Sequence, residues 1–151
     1  MVRAGIIAPV LAPVLAPVLA PVLVLALAWP AAAQQAGGIA VDLNRLDPVD
    51  NACRLTFVAD NALAPLTTLA LETVLFDQAG RVAALTLFDF GALPVDARRV
   101  RQFDVAGIAC PEIAQLLING VASCTGEAVQ DSACAQALHV TVSVDDVEVM
   151  Q

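Results

Sequence analysis

An all-β fold is what this sequence predicts: an antiparallel β-sandwich with one or two short helices toward the C-terminal half. Three observations carry that expectation. Apolar residues recur with a period of two through most of residues 34–151. Turn residues punctuate the same stretch about every ten positions. All four cysteines also lie there, as expected of a small exported domain stapled by disulfides.

Residues 1–33 stand apart. Arg3 precedes a long apolar run, and Pro30-Ala31-Ala32-Ala33 leads into Gln34-Gln35. A basic start, an apolar stretch and a small-residue site make a secretory signal peptide cut after Ala33. The tandem "APVL" repeat places Pro9, Pro13, Pro17 and Pro21 within the run. Proline at that spacing cannot sustain a helix, which argues against an uncleaved membrane anchor. Cleavage is expected to leave residues 34–151 as a single domain with no membrane attachment, periplasmic or secreted.

The chain carries a net charge of −8, with seven arginines and no lysine. An acidic domain without a basic stripe makes a poor nucleic-acid binder. Cys53, Cys110, Cys124 and Cys134 read as two disulfides, and three pairings are open. Cys124 and Cys134 flank the short polar loop "TGEAVQDSA", which favours joining them and leaves Cys53 to meet Cys110. No C-x-x-C occurs, and the single His139 is not at zinc-site spacing. Neither metal nor cofactor is expected.

The strands follow in order. In "GIAVDLN", Ile39, Val41 and Leu43 alternate with Ala40, Asp42 and Asn44. In "ACRLTFVADN", Cys53, Leu55, Phe57 and Ala59 share one face. "LALETVLF" and "RVAALTLFDF" flank "DQAG" as a hairpin, in which a left-handed Gly80 puts Asp77 opposite Arg81. Continued without a break, that register sets Leu71 against Leu87 and Leu75 against Ala83. The other face then carries Val74, Phe76, Val82, Phe88 and also Phe90, with Glu72 beside them. Water-facing sheets do not use such residues, so either residues 106–138 or a partner protein should cover this face.

"RRVRQFDV" follows the Pro94 break. Returned antiparallel on the preceding strand, it sets Leu87 against Phe103 and makes Asp89 a cross-strand partner of Arg101. A sandwich can also send the two strands to different sheets. "CPEIAQLLING" suits a short helix begun by Pro111 or a strand, and the sequence leaves both open. "DSACAQAL" reads as a helical turn. Near the end, Leu138, Val140, Val142 and Val144 alternate with an outward His139. The phase then shifts to Val147 and Val149, as a bend at Asp145-Asp146 would cause.

Few residues suit catalysis. His139 is the only candidate base and has no nucleophile-elbow sequence around it. Asp145 and Asp146 are adjacent, so on a strand they point to opposite faces. Cys110 before Pro111 could sit at a helix start as a reactive thiol, but the spacing of all four cysteines favours structural bridges. Arg98, Arg99 and Arg101 are candidates for gripping one anion, against the plainer reading of a solvated strand end.

The blocks "CRLTFVADN", "VLFDQAGRV", "LTLFDFGALP", "RVRQFDVAGIAC" and "INGVASC" resemble a group of small exported proteins of alphaproteobacteria. The resemblance spans nearly all of residues 34–151 and implies export and a compact domain. Cys53 on the core face of the second strand is similar in placement to the inter-sheet bridge of immunoglobulin-like domains. The core tryptophan of that family is missing, because Trp29 lies in the leader. The expected function is non-catalytic: binding of an envelope or secreted protein. The alternative is a small-anion carrier using the three arginines, and a cysteine-dependent redox protein comes third.

Overall fold

A computed structural model describes residues 37–129 and 131–150; the expected signal peptide and its APVL repeat lie outside the described residues. Eight strands form the domain: β1 Ile39–Val49, β2 Ala52–Asn61, β3 Leu66–Asp77, β4 Val82–Leu93, β5 Arg99–Ala106, β6 Ile113–Thr125, β7 Leu138–Val142 and β8 Glu148–Met150. A 3₁₀ turn, Cys110–Glu112, precedes β6, and a short helix α1, Asp131–Ala137, precedes β7. Sheet A has the order β5-β2-β1-β7 and sheet B the order β4-β3-β6-β8. The two sheets pack face to face as the expected sandwich.

The period-two pattern explains the core. Ile39, Val41 and Leu43 from β1, with Cys53, Leu55, Phe57 and Ala59 from β2, are all buried, and Leu69, Leu71 and Leu75 of β3 meet them from sheet B. Four of the five phenylalanines form one cluster between the sheets. Phe88 stacks on Phe103 at 4.5 Å, and Phe57 lies 5.4 Å from Phe88 and 5.6 Å from Phe90. Such aromatic contacts add about 0.5–1.5 kcal/mol beyond area burial.

The chain crosses between sheets five times, and most crossings have a visible clasp. Asn61, buried at the end of β2, donates from Nδ2 to the carbonyls of Ala64 and Leu93, both at 2.7 Å. One side chain thereby holds the β2–β3 connection against the end of β4. Its own carbonyl accepts from the Asp96 amide in the β4–β5 connection. Cys53–Cys110 ties β2 to the turn that leads into β6. Cys124–Cys134 ties the end of β6 to α1 on the way to β7. The favoured pairing is therefore the one present. Closing loops of this kind stabilises by about 3–4 kcal/mol in the chain-entropy account.

The sequence leaves "CPEIAQLLING" open between helix and strand, and the structure decides it: residues 113–118 belong to a strand, and within this segment the helical turn is Cys110–Glu112, with Pro111 in it. Pairing between β3 and β6 from Thr68 to Asp77 outweighs the weak helical pattern. Two expectations need correction. First, β5 pairs with β2 in sheet A, with Phe103 opposite Leu55 and Arg101 opposite Phe57. It is therefore not a neighbour of β4, and Asp89 does not pair with Arg101. The second correction concerns the β3–β4 hairpin. Its turn is as expected: the Asp77 amide donates to the Arg81 carbonyl, and Gly80 has φ 72°. Beyond Phe76–Val82, however, a bulge at Ala83 shifts the register, so Leu75 faces Ala84 and Leu71 faces Phe88. A one-residue slip exchanges the two faces of a strand.

The tail behaves as expected. Asp145 and Asp146 form a turn, Asp146 has φ 62°, and the phase shift marks the passage from β7 in sheet A to β8 in sheet B. No helix among the described residues is long and apolar enough to cross a membrane.

Candidate functional site

The slip at Ala83 decides which residues of β4 meet solvent. Phe88 and Phe90 turn into the core at 2% and 0% exposure, while Leu85 and Leu87 turn outward at 65% and 54%. Of the face expected from sequence, Val74, Phe76 and Val82 remain outside; Phe88 and Phe90 do not. The aromatic pair packs against Phe57 and Phe103 of the opposite sheet.

Sheet register assembles the outer face of sheet B in rows. Leu85 lies beside Val74, Val74 beside Leu117, and Leu117 beside Met150. One apolar row thus crosses all four strands. Val82 and Phe76 continue it on one side, leading to Gln115 and Glu148, whose side chains bond at 3.4 Å. On the other side Leu87 adjoins Glu72, which accepts from Asn119 Nδ2 at 2.5 Å. Val74 is buried only because its neighbours in the row are large, since the core cluster excludes it. Sequence reasoning missed Leu85, Leu87, Leu117 and Met150. Both alternations of "VAALTLFDF" are apolar, so hydrophobic pattern alone cannot choose between them.

The three arginines do not converge. Arg98 lies exposed and grips Asp60, with Nε and Nη2 at 3.0–3.1 Å from its carboxylate. That hydrogen bond, and then the carboxylate charge, raises the Arg98 pKa further. Arg99 and Arg101 point to the opposite side of β5, toward the gap between the sheets. Arg99 donates to the Arg98 carbonyl at 3.1 Å. Arg101 donates from Nε to the Phe90 carbonyl at 2.8 Å and from Nη1 to the Val100 carbonyl at 3.1 Å. Alternation along the strand separates Arg98 from the other two, and each guanidinium already has an oxygen partner. The carboxylate of Asp89, the expected partner of Arg101, accepts instead from the Gly91 amide at 2.8 Å.

A surface hollow of about 710 Å³ lies where β1, β2 and β7 meet, lined by Asp60, Asp96, His139, Asn61 and small residues. Its lining supplies no serine, threonine or cysteine nucleophile. Among the described residues no three histidine, cysteine or acidic side chains gather as metal ligands. All four cysteines are bridged, so Cys110 presents no thiol. No protein-family model, curated protein or solved structure matches the chain.

Proposed function

We propose that this is an exported, non-catalytic β-sandwich that works by binding another envelope or secreted protein on the outer face of sheet B. One observation carries the reading: the row Leu85–Val74–Leu117–Met150 crosses the whole sheet, and Leu85, Leu87 and Val82 stand 54–65% exposed. Apolar surface of this kind, exposed along β4, half-buried at Leu117 and Met150 and continuous through the buried Val74, costs solubility and is characteristic of interaction sites. The two disulfides accord with an oxidising, exported location.

The test is affinity capture from an envelope extract, comparing the wild type with Leu117→Glu at the centre of the row and with Gln102→Ala on the far sheet. A specific partner should be retained by the wild type and Gln102→Ala and lost from Leu117→Glu. Equal capture by all three would sink the reading.

A further inference from the structure

We infer that β4 is also a self-association edge: two copies of this chain pair antiparallel along it, with the two-fold axis at Thr86. The inference starts from a comparison of the four sheet edges. A strand edge left open invites pairing, and proteins blunt such edges by shortness, charge, bulges or cover. β7 is five residues long and β8 three. β5 carries Arg99 and Arg101 turned inward, and its Asp104 is engaged by Arg54. β4 is different, with twelve residues and neither lysine nor proline.

Its two ends are nevertheless closed. The Ala83 bulge interrupts one end, and a second irregularity at Phe90 interrupts the other. There Arg101 already occupies the Phe90 carbonyl. Between them Ala84–Asp89 keeps an unbroken register with β3, and Leu85 and Leu87 stand exposed on its outer side.

That open window is self-complementary about one residue. With Thr86 opposite Thr86 of the second copy, Leu85 faces Leu87 twice and Ala84 faces Phe88 twice. Asp89 then meets Ala83, and no two carboxylates oppose each other. Centring on Leu87 would set Asp89 against Leu85, and centring on Leu85 would pull the bulge into the pair. An isologous contact needs this self-matching. Pairing would join two copies of sheet B into one eight-stranded sheet and set Leu85 and Leu87 of both copies side by side. Each copy has net charge −8, so repulsion opposes association and salt should promote it. The inference rests on the edge of β4, not on the outer-face reading, and Leu117 is outside it.

Sedimentation of the purified protein at about 100 µM, where even a small interface populates dimer, tests it. The wild type should be dimeric, and more so at high salt. The pair Leu85→Glu with Leu87→Glu, and the pair Leu85→Arg with Leu87→Arg, should each be monomeric with unchanged melting, weakening the dimer more than about 100-fold. Mixing the acidic with the basic chain should restore a one-to-one dimer. Leu117→Glu should leave dimerisation intact even where it abolishes partner capture, so the two ideas fail separately. A monomeric wild type, a dimer that survives Leu85→Glu with Leu87→Glu, or a mixture that does not reassociate would each overturn the inference.

Discussion

The outer faces of the two sheets differ although their inner faces are alike. On sheet A, Arg54 holds Asp104 with two bonds of 2.6 and 2.8 Å, Asp42 accepts from Thr141 and Ser143 at 2.8 Å each, and Thr56 accepts from Gln102 at 3.1 Å. Val58 beside Val100, and Val49 beside Ala52 and Ala106, interrupt that polar surface. On sheet B the corresponding positions hold Val74, Leu85, Leu87 and Leu117. Burial explains both inner faces, but it cannot explain an apolar outer one. An antiparallel sheet with one face toward water ordinarily alternates polar and apolar residues, as sheet A does. Burial in the sandwich core does not account for the departure in sheet B, which is why the proposed binding function is placed there.

The sharpest way to break this comparison lies within β4. Phe88→Ala should destabilise the fold by about 3–5 kcal/mol through lost burial and a cavity. Leu87→Ala, one residue away, should stay within about 0.5 kcal/mol. Denaturant unfolding of the two variants measures both. An unbroken hairpin register would reverse the order, making Leu87 the core residue and turning Phe88 and Phe90 outward.

That one-residue difference marks where the sequence stops being legible. Strands β2 and β7, and β1 up to Leu43, alternate cleanly, so their inner residues and the Asp77–Arg81 turn can be read from spacing, while the short loop between Cys124 and Cys134 favours the bridge pairing among three. The faces of β4 cannot, because leucine and phenylalanine occupy both alternations and a bulge at Ala83 has no sequence signature there. The placement of β5 has a similar cause. Its apolar residues Phe103 and Val105 fit β4 or β2 equally well, and only the sandwich decides. Charge matching favours the register that pairs Arg101 with Asp89. Its role as a donor to the Phe90 carbonyl depends on a contact between sheets, which strand periodicity does not encode. Arg54–Asp104 follows from the β2–β5 pairing and was hidden for the same reason.

Two threonines sharpen the comparison with smaller effects. Thr56 of β2 is nearly buried on the outer face of sheet A and accepts from Gln102. Thr73 of β3 is fully buried on the inner face of sheet B, and its hydroxyl has no hydrogen-bond partner. Thr73→Val should therefore stabilise by about 1 kcal/mol, since an orphaned buried hydroxyl carries only a desolvation cost. Thr56→Val should destabilise by about 0.5–1.5 kcal/mol through its lost bond. Paired thermal melts decide this, and a loss of stability in Thr73→Val would mean the hydroxyl has a partner in solution.

The smallest effect separates the faces by pH. The Asp104 carboxyl is held below the ordinary carboxylate range, first by the Arg54 hydrogen bonds and then by the guanidinium charge. Asp77 is lowered too, first by the Arg81 amide and then by its side chain. A depressed folded-state pKa means the unfolded chain binds the proton more readily. The contribution is thus complete above the unfolded value, about 3.9 for Asp, and is lost as pH falls through the folded value. Asp104→Asn should slightly lower stability at neutral pH and make the loss on acidification shallower. Leu87→Thr on the apolar face should leave that slope unchanged. Because Arg54 and Asp104 are exposed, raising the salt concentration should shrink the difference between wild type and Asp104→Asn. Chemical unfolding over about pH 2–6 at two salt concentrations measures it. An acid slope identical in Asp104→Asn and wild type would show that the polar face contributes no acid-labile stability through Arg54–Asp104.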